Sequence, residues 1–318
     1  IIATSDTHAN VWGWSYEDGK ESTAGSLAQI STYVKGLRDA GENVILVDNG
    51  DTIQGTIMSD DLANKRPDDA HPVIAAMNYM GYDAMGLGNH EFNWGLTNMK
   101  KILGQAQFPV LCSNIKDAKG EFVTADGAWT MVERAGVKVA IISADTPNIK
   151  KWDGGKDGID DLQISSMVEG VQAAIKDIDG KADLIMVVAH AGPTAEYGGD
   201  DAQAILAACP EVDILQCGHS HTSYINNDGP VPVGEVKNGA GEVLKYTVVV
   251  DKDKKVTSAT VETVSVKDQA PNEGVRAVEA VKTVHEKAVE YVSGNVLGHA
   301  TAKFQPEDEI KGIPEGKL

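Results

Sequence analysis

Short apolar runs in this chain end repeatedly in the same kind of residue. Ile1–Ser5 leads into Asp6 and His8, Val44–Val47 into Asp48, Gly50 and Asp51, and Ala84–Leu87 into Asn89 and His90. Leu184–Ala189 leads into His190, and Ile214–Cys217 into His219 and His221. Apolar runs alternating with longer amphipathic stretches are the pattern of strands and helices taking turns in a layered α/β domain. In an open sheet of that kind, ligands bind beyond the carboxyl ends of the strands, where the loops converge. Imidazoles, carboxylates and one amide therefore gather on one edge, each close to a glycine that lets the backbone turn sharply. Of the 8 histidines in the chain, five lie at these positions.

Strands are predicted at Ile1–Ala3, Val44–Val47, Ala84–Leu87, Val137–Ile142, Leu184–Val188 and Ile214–Leu215, and helices near Ser26–Arg38, Pro72–Met80, Leu96–Ala106 and Ser165–Ile178. From about Val231 the character changes. Val243–Val250, a turn at Asp251–Lys254 and Val256–Val266 read as an antiparallel hairpin. Beyond Pro271, residues Glu273–Val292 place Val275, Val278, Val281, Val284, Ala288 and Val292 on one apolar stripe, which predicts a single amphipathic connector helix. His71 is expected to start the helix at Pro72 and His285 to lie on the connector; Trp12, Trp14 and Tyr16 are expected to pack within their loop.

The charge balance, 28 basic against 47 acidic residues for a net −19, repels nucleic-acid backbones and anionic lipid surfaces. A nucleic-acid polymer is thus an unsuitable partner, and no apolar run is long enough to span a membrane as a helix. A small phosphate substrate would need a strongly positive local feature, which in so acidic a chain points to metal ions. Cys112, Cys209 and Cys217 form no spaced pair and are read as buried small hydrophobes. Imidazole, carboxylate and amide donors together suit Zn²⁺, Mn²⁺ or Fe²⁺, whereas Ca²⁺ and Mg²⁺ prefer oxygen alone. Asp6, His8, Asp51, Asn89, His190, His219 and His221 exceed the needs of one ion. Two divalent ions bridged by a carboxylate are implied, with a shared hydroxide as the nucleophile of two-metal hydrolysis.

The blocks SDTH, GDTIQG, GNHE, VVAHAG and GHSH, between Asp6 and His221, resemble the signature blocks of the calcineurin-like metallophosphoesterases. That resemblance implies a layered sandwich of two mixed β-sheets flanked by helices. It further implies a first ion on Asp6, His8, Asp51 and His221 and a second on Asp51, Asn89, His190 and His219. His90 corresponds to the family's non-ligand histidine, which stabilises the transition state or protonates the leaving oxygen.

The strings VDNGDTIQGT, HPVIAAMNYMGYDAMGLGNHEFNWGL, FPVLCSNI and KKWDG resemble the 5′-nucleotidase branch, and within it the 2′,3′-cyclic-nucleotide 2′-phosphodiesterase/3′-nucleotidases. Asn93 discriminates, because GNHEFN typifies that group and GNHEFD the ordinary 5′-nucleotidases. Its oxygen can accept a hydrogen bond from His90 without the basicity gain a carboxylate would confer. The resemblance implies small nucleotide substrates, an extracytoplasmic location, a catalytic domain over 1–270, and over 271–318 a connector helix and the start of a further nucleotide-binding domain, with the junction near Val296–Phe304. A 5′-nucleotidase or nucleotide-sugar hydrolase is the alternative, since it shares every ligand.

Overall fold

A computed structural model describes residues 1–194 and 202–294; the expected junction at Val296–Phe304 and His299 lie outside them. Two mixed six-stranded sheets face each other. The first orders its strands Val256–Ser265, Glu242–Val250, Ile2–Thr4, Leu46–Asp48, Ala84–Gly86 and Val110–Leu111. The second orders Tyr224–Asn226, Val233–Glu235, Ile214–Gln216, Leu184–His190, Val137–Asp145 and Trp129–Arg134.

Successive side chains of a strand point to opposite faces, and here both faces are covered. Ala3, Val47 and Ala84 meet Ile141, Met186, Val188 and Ile214 in the core between the sheets. Their neighbours Ile2, Leu46 and Met85 face outward into a second core under helices that include Leu27–Asp39 and Pro72–Met80. Ile142, Val187 and Leu215 face a third core under Met167–Ile178 and Ala202–Ala208. The result is a helix–sheet–sheet–helix sandwich. Within each sheet the central strands run parallel, so their carboxyl ends share one edge.

Helix starts follow local chemistry. Ser166 caps Met167–Ile178 with Glu169 closing a reciprocal capping box. Pro72 occupies the first turn of Pro72–Met80, and Gly81, at φ 68°, ends it in the left-handed conformation. His71 precedes that helix, buried, with Nε2 3.1 Å from Asn64 Oδ1 and Nδ1 without a partner. Burial pushes its imidazole down to about 3. The native state thus holds His71 neutral, while the unfolded chain binds a proton below about 6.5. Stability from this group is full above that pH and falls by up to about 1.4 kcal/mol per unit as the pH drops toward the folded value. Urea unfolding of wild type and His71→Gln between pH 7 and 4 should show the wild type losing stability more steeply.

The connector differs from the single helix expected. It forms two pieces, Glu273–Arg276 and Glu279–Ser293, with extended backbone at Val278. Tertiary bonds override the uninterrupted apolar stripe: Arg276 donates to the Trp12 carbonyl at 2.8 and 3.1 Å and pairs with Glu21 at 2.6 Å. His285, from the longer piece, stacks on Trp12 with ring centres 3.8 Å apart and lies 2.9 Å from the Tyr16 hydroxyl. Trp12, Trp14 and Tyr16 therefore pack around His285. All three cysteines are buried, and none forms a disulfide. Among the described residues no helix is long and apolar enough to cross a membrane.

Candidate metal centre

The strand ends deliver Asp6, His8, Asp51, His190, His219 and His221 to one cluster. Donor atoms of Asp6, His8, Asp51 and His221 all lie within 4.8 Å of one another, as do those of Asp51, His190 and His219. Asp51 belongs to both groups. His190 Nε2 stands 3.2 Å from Asp51 Oδ2, and His221 Nε2 stands 3.3 Å from Asp6 Oδ1 and 3.2 Å from His8 Nε2. Two ring nitrogens facing at that distance match neighbouring ligands of an ion that binds each at about 2.0–2.1 Å.

The backbone is strained where these side chains emerge. Asp6, His8, Asp51, His219 and His221 have φ of 50°, 47°, 53°, 72° and 56°, the left-handed region that costs non-glycine residues about 1 kcal/mol or more each. Such strain persists only where the surroundings over-determine it. Here the loops are bonded to each other: the Asp6 amide donates to Gly50 O at 3.0 Å, and the His8 amide to Asp51 O at 3.0 Å. Gly88 admits no side chain, because a Cβ there would strike the Asp51 carboxylate and the His190 ring.

The donor set fits divalent metal by three observations. His190 is fully buried, and its Nδ1 lies 2.7 Å from the Asn49 carbonyl, which fixes one ring proton there and turns Nε2 toward the cluster. That Nε2 makes no hydrogen bond despite its closeness to Asp51, and Asn89 Oδ1 is likewise buried without a partner. The field is also right. Burial alone would lower the His190 pKa, but Asp51 and Asp6 outweigh it and hold it well above the ordinary value, so without an ion Nε2 tends to hold a proton, the positive charge that a bound cation would replace. His219 is pushed down to about 4, first by burial and then by His190, which keeps it a neutral imidazole as a ligand must be.

Residues 1–223 match the family described as calcineurin-like phosphoesterase. The chain belongs to that family, a class of hydrolases acting on phosphoester bonds that use divalent metal ions. It is 33% identical over 241 residues to the trifunctional nucleotide phosphoesterase protein YfkN of Bacillus subtilis, covering 70% of this chain and 16% of that one. It is 29% identical to the 2′,3′-cyclic-nucleotide 2′-phosphodiesterase/3′-nucleotidase of Salmonella typhimurium, covering 72% of this chain and 37% of that one. The chain thus spans well under half the length of these relatives. The crystal structure of the calcineurin-like phosphoesterase YfkN superposes with a TM-score of 0.79 at 25% identity, covering 92% of this chain and 98% of that one.

Two supports of this candidate site escaped sequence reasoning. Glu91 is buried, and its carboxylate accepts four backbone amides: Asp51 and Gly88 on Oε2, both at 2.8 Å, and Thr52 and Ile53 on Oε1 at 2.8 and 3.1 Å. It ties the loop carrying Asp51 to the loop carrying Asn89 and His90. The GNHE block contained it, but a glutamate beside a histidine does not reveal what it bonds. Glu235, also buried, accepts the Ser220 hydroxyl at 2.7 Å and so holds the loop between His219 and His221. His90 lies beside the ligands with its amide 2.7 Å from Asp51 Oδ1, its ring 5.4 Å from that of His8, and its Nδ1 2.7 Å from Asn93 Oδ1. His90 Nε2 then faces the cluster, 4.0 Å from Asp51 Oδ2.

Proposed function

We propose that this chain hydrolyses nucleotide phosphoesters, opening 2′,3′-cyclic nucleotides to 3′-nucleotides and then releasing the nucleoside. Asp6, His8, Asp51 and His221 would hold one divalent ion, and Asp51, Asn89, His190 and His219 a second. The observation that carries this reading is the membership of Asp51 in both converging donor groups. Bound there, two dications would offset the carboxylates, attract the phosphate and acidify a water. The chain's own residues supply the rest. His90 presents Nε2 toward the reacting side and, as an imidazolium, donates that proton to the departing oxygen, a role commonly worth about 10²–10⁴ in rate. Asn93 holds the opposite face of that imidazole through the hydrogen bond at Nδ1.

The preference for cyclic substrates draws support from Asn93 and from the printed activity of the Salmonella relative. Zn²⁺, Mn²⁺ or Fe²⁺ as the ions, an extracytoplasmic location, and a catalytic domain over residues 1–270 followed by a connector belong to the same proposal; the first rests on the mixed donor set and the others on the family resemblance. The test compares kcat/KM of the Mn²⁺-loaded protein on 2′,3′-cyclic AMP, AMP and a nucleotide sugar at equal concentration. Cyclic AMP should be turned over fastest. Faster hydrolysis of AMP or of the nucleotide sugar would assign the site to the 5′-nucleotidase or nucleotide-sugar hydrolase alternative.

A further inference from the structure

The orientation of His90 has a traceable cause outside the signature blocks. A primary amide can present either its oxygen or its NH₂ to a ring nitrogen with nearly the same shape, so a second contact must select between them. At Asn93 that contact is Asp153. Its carboxylate is buried, 2% exposed, and lies 3.1 Å (Oδ1) and 3.3 Å (Oδ2) from Asn93 Nδ2. An ionised carboxylate only accepts, so the NH₂ of Asn93 must face Asp153 and its oxygen must face His90. That oxygen also only accepts. One ring proton of His90 is thereby held at Nδ1, so the second proton, taken up when the ring becomes an imidazolium, sits on Nε2 and is the one available to the reacting side. Lys156 pairs with Asp153 and compensates its charge. The helix that bears Asp153, Ile149–Asp153, supplies none of the candidate ligands, yet it borders them: the Trp152 ring lies 5.4 Å from that of His219.

We infer that Asp153 is a positioning residue which, through the amide of Asn93, fixes the tautomer and ring orientation of His90. The inference rests on the reading of His90 as donor to the leaving oxygen. It makes the group at position 93 a relay between a buried carboxylate and the imidazole, so donor and acceptor must alternate along the chain Asp153, Asn93, His90. Interchanging the side chains at positions 153 and 93 should preserve the alternation, whereas changing either alone should break it.

The experiment uses wild type, Asp153→Asn, Asn93→Asp and the double variant Asn93→Asp/Asp153→Asn. In Asp153→Asn the new amide accepts either face of Asn93, and its selection is lost. Asn93→Asp sets two carboxylates against each other. The double variant restores a donor at 153 and an acceptor at 93. Each single change should lower kcat on 2′,3′-cyclic AMP by about 10–100-fold, the usual effect of losing an orienting partner, with KM little changed. The loss should be much smaller on bis(4-nitrophenyl) phosphate, whose leaving group departs without a proton, and the double variant should recover most of the kcat. In ¹⁵N spectra of the metal-free proteins, taken at a pH where the ring is neutral, His90 should be the Nδ1–H tautomer in wild type and the double variant, and a mixture in Asp153→Asn. Equal losses on both esters together with reduced metal content and a lower melting temperature would make Asp153 merely structural and overturn the inference. So would wild-type kcat and tautomer in Asp153→Asn, or a double variant no better than the singles. A wild-type protein inert toward all esters would instead overturn the hydrolase reading, while the ¹⁵N result would still decide the role of Asp153.

Discussion

Asp51→Asn should lower kcat/KM on any phosphoester by at least about 10³-fold, the equivalent of roughly 4 kcal/mol of lost charge stabilisation. Asp51 is buried, and it alone belongs to both donor groups, so its loss weakens both at once. Asparagine keeps the shape of the side chain. Its oxygen can still accept the His90 amide, which Asp51 Oδ1 now does at 2.7 Å, so the metal-free fold should survive. What goes is the negative charge that stands 3.2 Å from His190 and would bridge two cations. Steady-state kinetics beside a thermal melt of the metal-free protein separate the two effects. Activity within tenfold of wild type in a folded variant would remove Asp51 from the centre of the site.

Glu91→Ala should cost more stability than any surface change. Four backbone amides now end on that one buried carboxylate. A buried donor left without a partner costs about 1–3 kcal/mol, so even with partial rescue by water the variant should lose about 4 kcal/mol or more. That is a large share of the roughly 5–15 kcal/mol that stabilises a domain. Glu91→Gln should fall between, because its NH₂ would confront amides that also donate. Urea unfolding of the three proteins gives the order wild type, Gln, Ala. Metal affinity should fall in parallel, since the Asp51 loop and the Asn89–Phe92 turn are joined through this side chain. A Glu91→Ala protein as stable as wild type would show that the loops hold each other without it.

The strand ends were legible because both faces of each central strand are buried. Leu184–His190 and Val137–Asp145 must then read as nearly unbroken apolar runs, and a histidine or aspartate at the end of such a run stands out. The helix starts at Ser166 and Pro72 were legible because capping is local chemistry. What was not legible depends on partners far away in the chain. The break at Val278 comes from Arg276 reaching back to Trp12 and Glu21, 264 and 255 residues away in sequence. Periodicity alone, which showed one continuous stripe, contains no trace of that. Trp129–Arg134 was not read as a strand because its half-buried edge position leaves a mixed pattern. Asp153 lies in the KKWDG segment, but its bond to Asn93 spans 60 residues and has no local signature.

Metal analysis tests the proposed two-ion centre most directly. Wild type, Asp51→Asn and His219→Ala would be stripped, reloaded with Mn²⁺ or Zn²⁺, freed of excess by gel filtration, and measured for ions per chain alongside turnover of 2′,3′-cyclic AMP. Two ions per wild-type chain are expected, with fewer than two and lost turnover in His219→Ala, and the largest loss in Asp51→Asn, the residue common to both donor groups. One ion per saturated wild-type chain, or a His219→Ala protein that keeps two ions and normal turnover, would contradict it.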